Sequence, residues 1–299
     1  MIDITVSVVM ITYNHEKFIK EALESIFSQK TNFHYELIIS NDCSTDNTDE
    51  VIKKIIDKNE NGSLINYTNH HKNKGMIPNF LWSIQQAKGK YIALCEGDDY
   101  WVDPYKLQKQ VDFLEANPDY SIHSGLAITS DNKIIGNKNK SSFILQDFYT
   151  RNNLITCTIL FRNTPLESKW FNNVTFGDWM LYVYVLNYIK NSKAYCDSKV
   201  LSFYRIHEGG IMQTLNEKSK FELAHVEHIL KIKKLTNCKF SENDISTINN
   251  YCISLLKHYL KEKDKKLFKT AFINLILSRN KFPLKSYLYY LYNSIKFKD

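Results

Sequence analysis

Proline and glycine are scarce: 5 Pro and 9 Gly in 299 residues supply too few turns for an all-β fold and argue against disorder. The six cysteines (Cys43, Cys95, Cys157, Cys196, Cys238 and Cys252) form no CxxC pair and no framework spacing, so a reducing, cytosolic compartment is expected. No run of 18 apolar residues exists, and nothing in the chain is expected to span a bilayer. The first residues, Met1 to Thr5, lack a basic segment and a cleavage site, and are not read as a secretory leader. Neither GxGxxG nor GxxxxGK[ST] occurs, which disfavours a Rossmann dinucleotide site and a P-loop.

What is present is apolar, aromatic and unevenly charged. The 19 Tyr and 17 Phe serve chiefly as core, although surplus Tyr and Trp also suit sugar sites and membrane interfaces. Residues 217–299 carry 17 Lys and Arg against 8 Asp and Glu, whereas the first 216 carry 22 against 24. Body and tail therefore face different partners.

Strand and helix patterns alternate through the first hundred residues. Val6 to Ile11 reads as a buried strand, followed by a helical stripe at Phe18, Ile19, Ala22, Leu23, Ile26 and Phe27. Tyr35 to Ser40 and Ser63 to Tyr67 read as further strands. The helix carrying Val51, Ile52, Ile55 and Ile56 is capped by Thr45 or Asp46 in this reading, and Pro78 to Ala87 forms another helix. A fourth strand, Tyr91 to Cys95, precedes Asp103-Pro104, a helix start with Asp as cap and Pro as first helical residue. The alternation implies an α/β fold with a parallel sheet covered on both faces. Right-handed crossovers bring its strand ends and their polar loops to one edge. From Tyr120 to Phe161 the pattern is strand and loop, with a surface hairpin at Asp131 to Ser142. Gly177-Asp178-Trp179 opens an apolar helix through Ile189, and the chain beyond Lys218 reads as helical, broken at Pro283.

The most informative stretch is Glu96-Gly97-Asp98-Asp99-Tyr100-Trp101, directly after the fourth strand. Adjacent carboxylates at the carboxyl edge of an open α/β sheet lie where such sheets bind ligands. They repel each other unless a cation or a set of donors is present. A divalent-metal site that handles a diphosphate is the simplest reading.

Four segments together resemble the family 2 glycosyltransferases over roughly residues 4–215: Val6 to Asn14, Asn41 to Thr48, Glu96 to Leu107 and Tyr204 to Gly210. The resemblance implies a GT-A fold: a Rossmann-like mixed, mainly parallel sheet flanked by helices, here with a C-terminal helical extension. It implies a catalytic domain over 1–216, split into a nucleotide-binding half (1–100) and an acceptor half with lid (101–216), followed by a basic extension over 217–299. The implied activity is hexosyl transfer with inversion, from a nucleotide diphosphate donor to a saccharide or lipid-linked saccharide in surface polysaccharide or glycolipid synthesis.

Carried onto this chain, Asp42 matches the carboxylate that receives the imide N3–H of uracil, and Ile11, Thr12 and Tyr13 line the base pocket. The family often has Asp where this chain has Asn41. In the acidic motif Asp99 is the expected ligand of Mn²⁺ or Mg²⁺, with Asp98 holding the ribose or a metal-bound water. His207 matches a second metal ligand, and an imidazole there favours manganese. Gly209-Gly210 makes a hinge for a lid over 208–218. Asp178 is the expected base, with Glu96 and Glu167 as weaker substitutes.

Two other functions fit the sequence less well. A nucleotidyltransferase carries a Gly-rich, Arg/Lys-bearing loop after its first strand, and Thr12-Tyr13-Asn14-His15 is not one. A catalytically inactive scaffold subunit of a polysaccharide assembly complex would have lost its acids, and Asp99 and Asp178 are both present. The tail, with Lys257, Lys261, Lys263, Lys265, Lys266 and Lys269 and aromatic residues at Tyr287, Tyr289, Tyr290 and Tyr292, suits an anionic membrane surface. The expected location is the cytoplasm, with peripheral attachment to the inner face of the membrane through this tail as the accompanying hypothesis. No nucleic-acid-binding module is recognisable.

Overall fold

A computed structural model describes residues 3–210 and 218–262. Contacts divide it into two compact units: the described residues through Phe148 together with Asn152–Ile206, and Tyr149–Arg151 together with the described residues from His207.

The first unit is a mixed sheet with helices against it. Its elements are β1 (Ile4–Thr12), α1 (Ile19–Phe27), β2 (His34–Asn41), α2 (Thr48–Lys58), β3 (Ile65–Asn69), α3 (Met76–Gln85), β4 (Tyr91–Leu94), β5 (Tyr100–Trp101) and α4 (Lys106–Ala116). They continue with β6 (Tyr120–Thr129), β7 (Ile134–Ile135), β8 (Ser142–Phe143), β9 (Leu160–Arg162), α5 (Gly177–Tyr188) and β10 (Lys193–Tyr204). The sheet order is β3-β2-β1-β4-β9-β6-β10-β5, with β7 beside β6 and β8 beside β10. The longer ladders, β1 with β2 and β4, β2 with β3, and β6 with β10, are parallel; the antiparallel ones through β5, β7, β8 and β9 are short.

Periodicity explains the first half. β1 buries Val6 to Met10 without interruption, as a strand covered on both faces must. The α1 stripe Ile19, Ala22, Leu23 and Ile26 is fully buried and shares one core with Leu37, Ile39, Ile52 and Tyr91. Truncating one such side chain, Leu23→Ala, costs about 2–5 kcal/mol. Helix α5 buries Trp179 through Leu186 on every side, the mark of a helix inside the fold.

Two helix starts differ from the sequence expectation. α4 begins at Lys106, because Asp103 Oδ1 accepts the Tyr105 N–H (2.9 Å) and Oδ2 pairs with Lys109 (2.7 Å), forming a turn ahead of the helix. In α2 the cap position belongs to Asn47. Asp46, one residue earlier, accepts both the N–H (3.0 Å) and the hydroxyl (2.6 Å) of Thr48.

α4 also buries a lysine. Lys106 is 0% exposed, with Nζ 2.9 Å from Gln110 Oε1 and 4.1 Å from the Trp101 ring centre. Burial pushes it down to about 7.

In the second unit, α6 (Lys218–Thr236) packs on α7 (Glu242–Lys261), burying Val226, Ile229 and Ile232 with Ile248, Cys252 and Leu255. Among the described residues no helix is long and apolar enough to cross a membrane. Lys263, Lys265, Lys266, Lys269, Pro283 and the aromatic stretch from Tyr287 to Tyr292 lie outside the described residues, as does 211–217 of the expected lid.

Candidate active site

Parallel β1, β2 and β4 end side by side, and their loops share one edge of the sheet. Side-chain bonds tie the first two loops together. Asn14, at φ 58°, gives its N–H to Ser44 Oγ (2.9 Å) and accepts the Thr45 N–H (2.8 Å). His15 N donates to Thr48 Oγ1 (2.8 Å), and Glu16 N to Asp46 Oδ2 (3.0 Å).

Asp42 is 3% exposed beneath the β3–α3 loop. Its Oδ1 accepts the Lys74 N–H (2.7 Å), and its Oδ2 accepts the Gly75 N–H (2.9 Å). Gly75 sits at φ 86°, a backbone position that suits glycine. The amide at Asn41 has its own reason: Nδ2 donates to Tyr67 Oη (3.0 Å), which donates to Asp49 (2.6 Å). An aspartate at 41 could not make the first of these bonds. Ile11 and Thr12 close β1, and Tyr13 beyond it is 43% exposed.

The acidic turn is locked onto β1. Gly97 N donates to Ile11 O (3.0 Å), and a Cβ on Gly97 would lie 2.7 Å from Thr12 Oγ1. Only glycine fits there without displacement.

The two aspartates point in different directions. Asp98 Oδ2 lies 3.8 Å from His15 Nε2, on the partly exposed side. Asp99 is 4% exposed and accepts the Arg205 N–H (2.8 Å) at the end of β10. Arg205 Nε also donates to Asp98 O (2.8 Å), while its guanidinium lies over Phe18 and pairs with Glu21. Burial and then the Asp98 charge push Asp99 up to about 8. Glu96 is likewise raised, by burial and then by Asp99, Asp98 and Asp178. The last influence places the α5 carboxylate in the same electrostatic neighbourhood as the turn.

Asp178 lies in the first turn of α5, but Phe176 holds the cap position. Its Oδ2 accepts from Asn152 Nδ2 (2.8 Å) and Thr156 Oγ1 (2.9 Å). Burial raises its pKa, and those bonds partly offset the rise. Trp101 and Trp179 are core: their indoles donate to Cys157 O (2.9 Å) and Phe148 O (2.7 Å). His207 is the first residue of the second unit and heads a turn closed by Gly210 N–H to His207 O (3.0 Å).

Sequence reading passed over His15, Asn152, Thr156 and the anchoring role of Arg205. His15 lies in a loop already placed at the sheet edge, so that signal was present. The donors to Asp178 come from irregular chain and carried none.

The Asp98 carboxylate and His15 imidazole form a donor set of the kind manganese accepts. The model for glycosyl transferase family 2 matches residues 7–167, more than half of the chain, and the chain belongs to that family. An uncharacterized protein of Mycobacterium tuberculosis is 31% identical over 226 residues, 72% of this chain and 63% of that protein. The chain thus spans less than two thirds of that relative's length. The Escherichia coli UDP-Glc:alpha-D-GlcNAc-diphosphoundecaprenol beta-1,3-glucosyltransferase WfaP is 29% identical over 264 residues, covering 87% of this chain and 98% of its own. Among solved structures, Staphylococcus aureus TarS 1–349 in complex with UDP-GlcNAc superposes with a TM-score of 0.56 at 18% identity, covering 90% of each chain. That likeness establishes the GT-A fold.

Proposed function

We propose that the protein is an inverting glycosyltransferase that moves a sugar from a uridine diphosphate donor to a lipid-linked saccharide. The observation that carries this reading is the acidic turn Glu96, Asp98 and Asp99 at the edge where β1, β2 and β4 end, with Asp178 raising Glu96 through its charge. Asp42 supports the donor assignment: each carboxylate oxygen accepts one amide and keeps a lone pair for an imide N–H. The acceptor class follows the diphosphoundecaprenol-linked saccharide on which WfaP acts, a protein that the chain matches over 98% of its length.

In this reading the acceptor hydroxyl attacks the anomeric carbon opposite the diphosphate, and Asp178 takes its proton. The anomeric C–O bond breaks with its electron pair leaving on the nucleoside diphosphate, so one displacement inverts the centre. Asn152 and Thr156 hold Asp178 Oδ2, orienting the carboxylate. A divalent cation held by Asp98 with His15 would stabilise charge on the departing diphosphate. The geometry favours Asp98 for that task, with Asp99 fixing the turn through Arg205. His207 remains the proposed additional ligand on its motif position, two residues beyond Arg205. Residues 1–216 are proposed as the catalytic part, and the basic 217–299 as its attachment to an anionic leaflet.

The test is a thermal-shift titration with UDP, dTDP, GDP and CDP, each with and without Mn²⁺. A ligand at about 100 times its Kd adds about 2.7 kcal/mol. A Mn²⁺-dependent shift with UDP is expected. No shift with any nucleotide, from folded protein, would leave the scaffold reading in its place.

A further inference from the structure

A groove of about 770 Å³ runs between α3 and the segment 168–174. One wall is Ile77, Leu81 and Trp82; the other is Phe171, Asn172 and Asn173. Its volume falls within the range of ligand sites, about 300–1,000 Å³. The lining is aromatic, aliphatic and amide, with Lys74 at one end as its single charged side chain. A phosphate-rich polymer would find little to bind there. A sugar presents C–H faces to an aromatic ring and hydroxyls to amides, which both donate and accept.

Trp82 is the one tryptophan of four that is not buried. Its ring meets His70 edge-on at 4.7 Å, and His70 Nε2 bonds Ser40 Oγ at 2.9 Å. A ring held in this way loses little freedom when a ligand stacks on it.

The groove wall packs against the helix that carries the proposed base. A Cβ on Gly177 would lie 2.5 Å from Ile77 Cδ1, so the start of α5 rests against the groove wall one residue before Asp178. We propose that this groove binds the saccharide of the acceptor, orienting the hydroxyl that reacts at Asp178. The assignment rests on the transferase reading above.

The experiment uses the full chain labelled with 5-fluorotryptophan and read by fluorine NMR, with the Trp82 signal assigned by its loss in Trp82→Phe. The probes are alkyl glycosyl diphosphates bearing glucose, galactose or N-acetylglucosamine, with the sugarless alkyl diphosphate as control. A sugar-bearing probe is expected to move the Trp82 signal saturably, and the control to leave it in place. Asn173→Ala should weaken the response about tenfold, the scale of one lost polar anchor, without changing the affinity for UDP with Mn²⁺. An unmoved Trp82 signal, or an equal response to the control, overturns the proposal. Failure of UDP to bind would remove the transferase reading, while the Trp82 signal still decides the groove.

Discussion

Replacing Lys106 by methionine should stabilise the protein near neutral pH and lose that advantage as the pH rises. Lys106 is fully buried, and its amine titrates at about 7 instead of 10.5. Between those values the unfolded chain binds a proton that the folded chain does not, so wild-type stability climbs with pH. At about 1.4 kcal/mol per pH unit, the buried amine costs about 4 kcal/mol at pH 7 and about 2 kcal/mol at pH 9. Methionine fills a similar volume without the charge but leaves Gln110 Oε1 without its donor, a loss of about 1–3 kcal/mol. The net gain is then about 2 kcal/mol at pH 7, roughly 4–8 °C in Tm, and close to zero at pH 9. Thermal unfolding of both proteins at pH 7, 8 and 9 reads this directly. A difference that does not change with pH would show that Lys106 stays charged, held by the Trp101 face and Gln110.

Asp178→Asn should keep UDP binding and lower transfer by about 10²–10⁴-fold; turnover at the wild-type rate would dismiss it as base. Because burial raises Asp178, kcat/KM should climb with pH through a midpoint above the ordinary carboxylate range, and a midpoint at or below that range would contradict the geometry. Asp98→Ala should abolish the Mn²⁺-dependent thermal shift with UDP, whereas Asp99→Asn, whose carbonyl can still accept the Arg205 N–H, should retain most of it. The reverse ranking would return the ligand role to Asp99. Gly97→Ala pushes a methyl into Thr12 and should cost about 1–3 kcal/mol in urea unfolding together with weaker nucleotide binding.

The first half of the fold was legible because its information is local. Each of β1, β2 and β4 is an apolar run bounded by polar loops, and α1 and α2 show their stripes within three turns. β9 was not legible: three residues carry no periodicity, and its place between β4 and β6 is set by partners far away in sequence. The acidic site divides in the same way. Its location after β4 could be read from residue types, but the opposite aims of Asp98 and Asp99 depend on an amide 106 residues later. Lys106 gave no warning either. A lysine in a helix reads as solvated, and only the tertiary packing of Trp101 and α4 buries it.

Strand β10 has a practical bearing on where this protein can be cut. The family match ends at 167, yet β10 pairs along β6 and delivers the Arg205 amide to Asp99. A fragment drawn to that boundary would lack Asp178, bare the β6 edge for aggregation, and strip the buried Asp99 carboxylate of its backbone donor. Any expression boundary that preserves the nucleotide edge must therefore lie beyond Ile206, whose own N–H is fastened to Ser130 (3.0 Å).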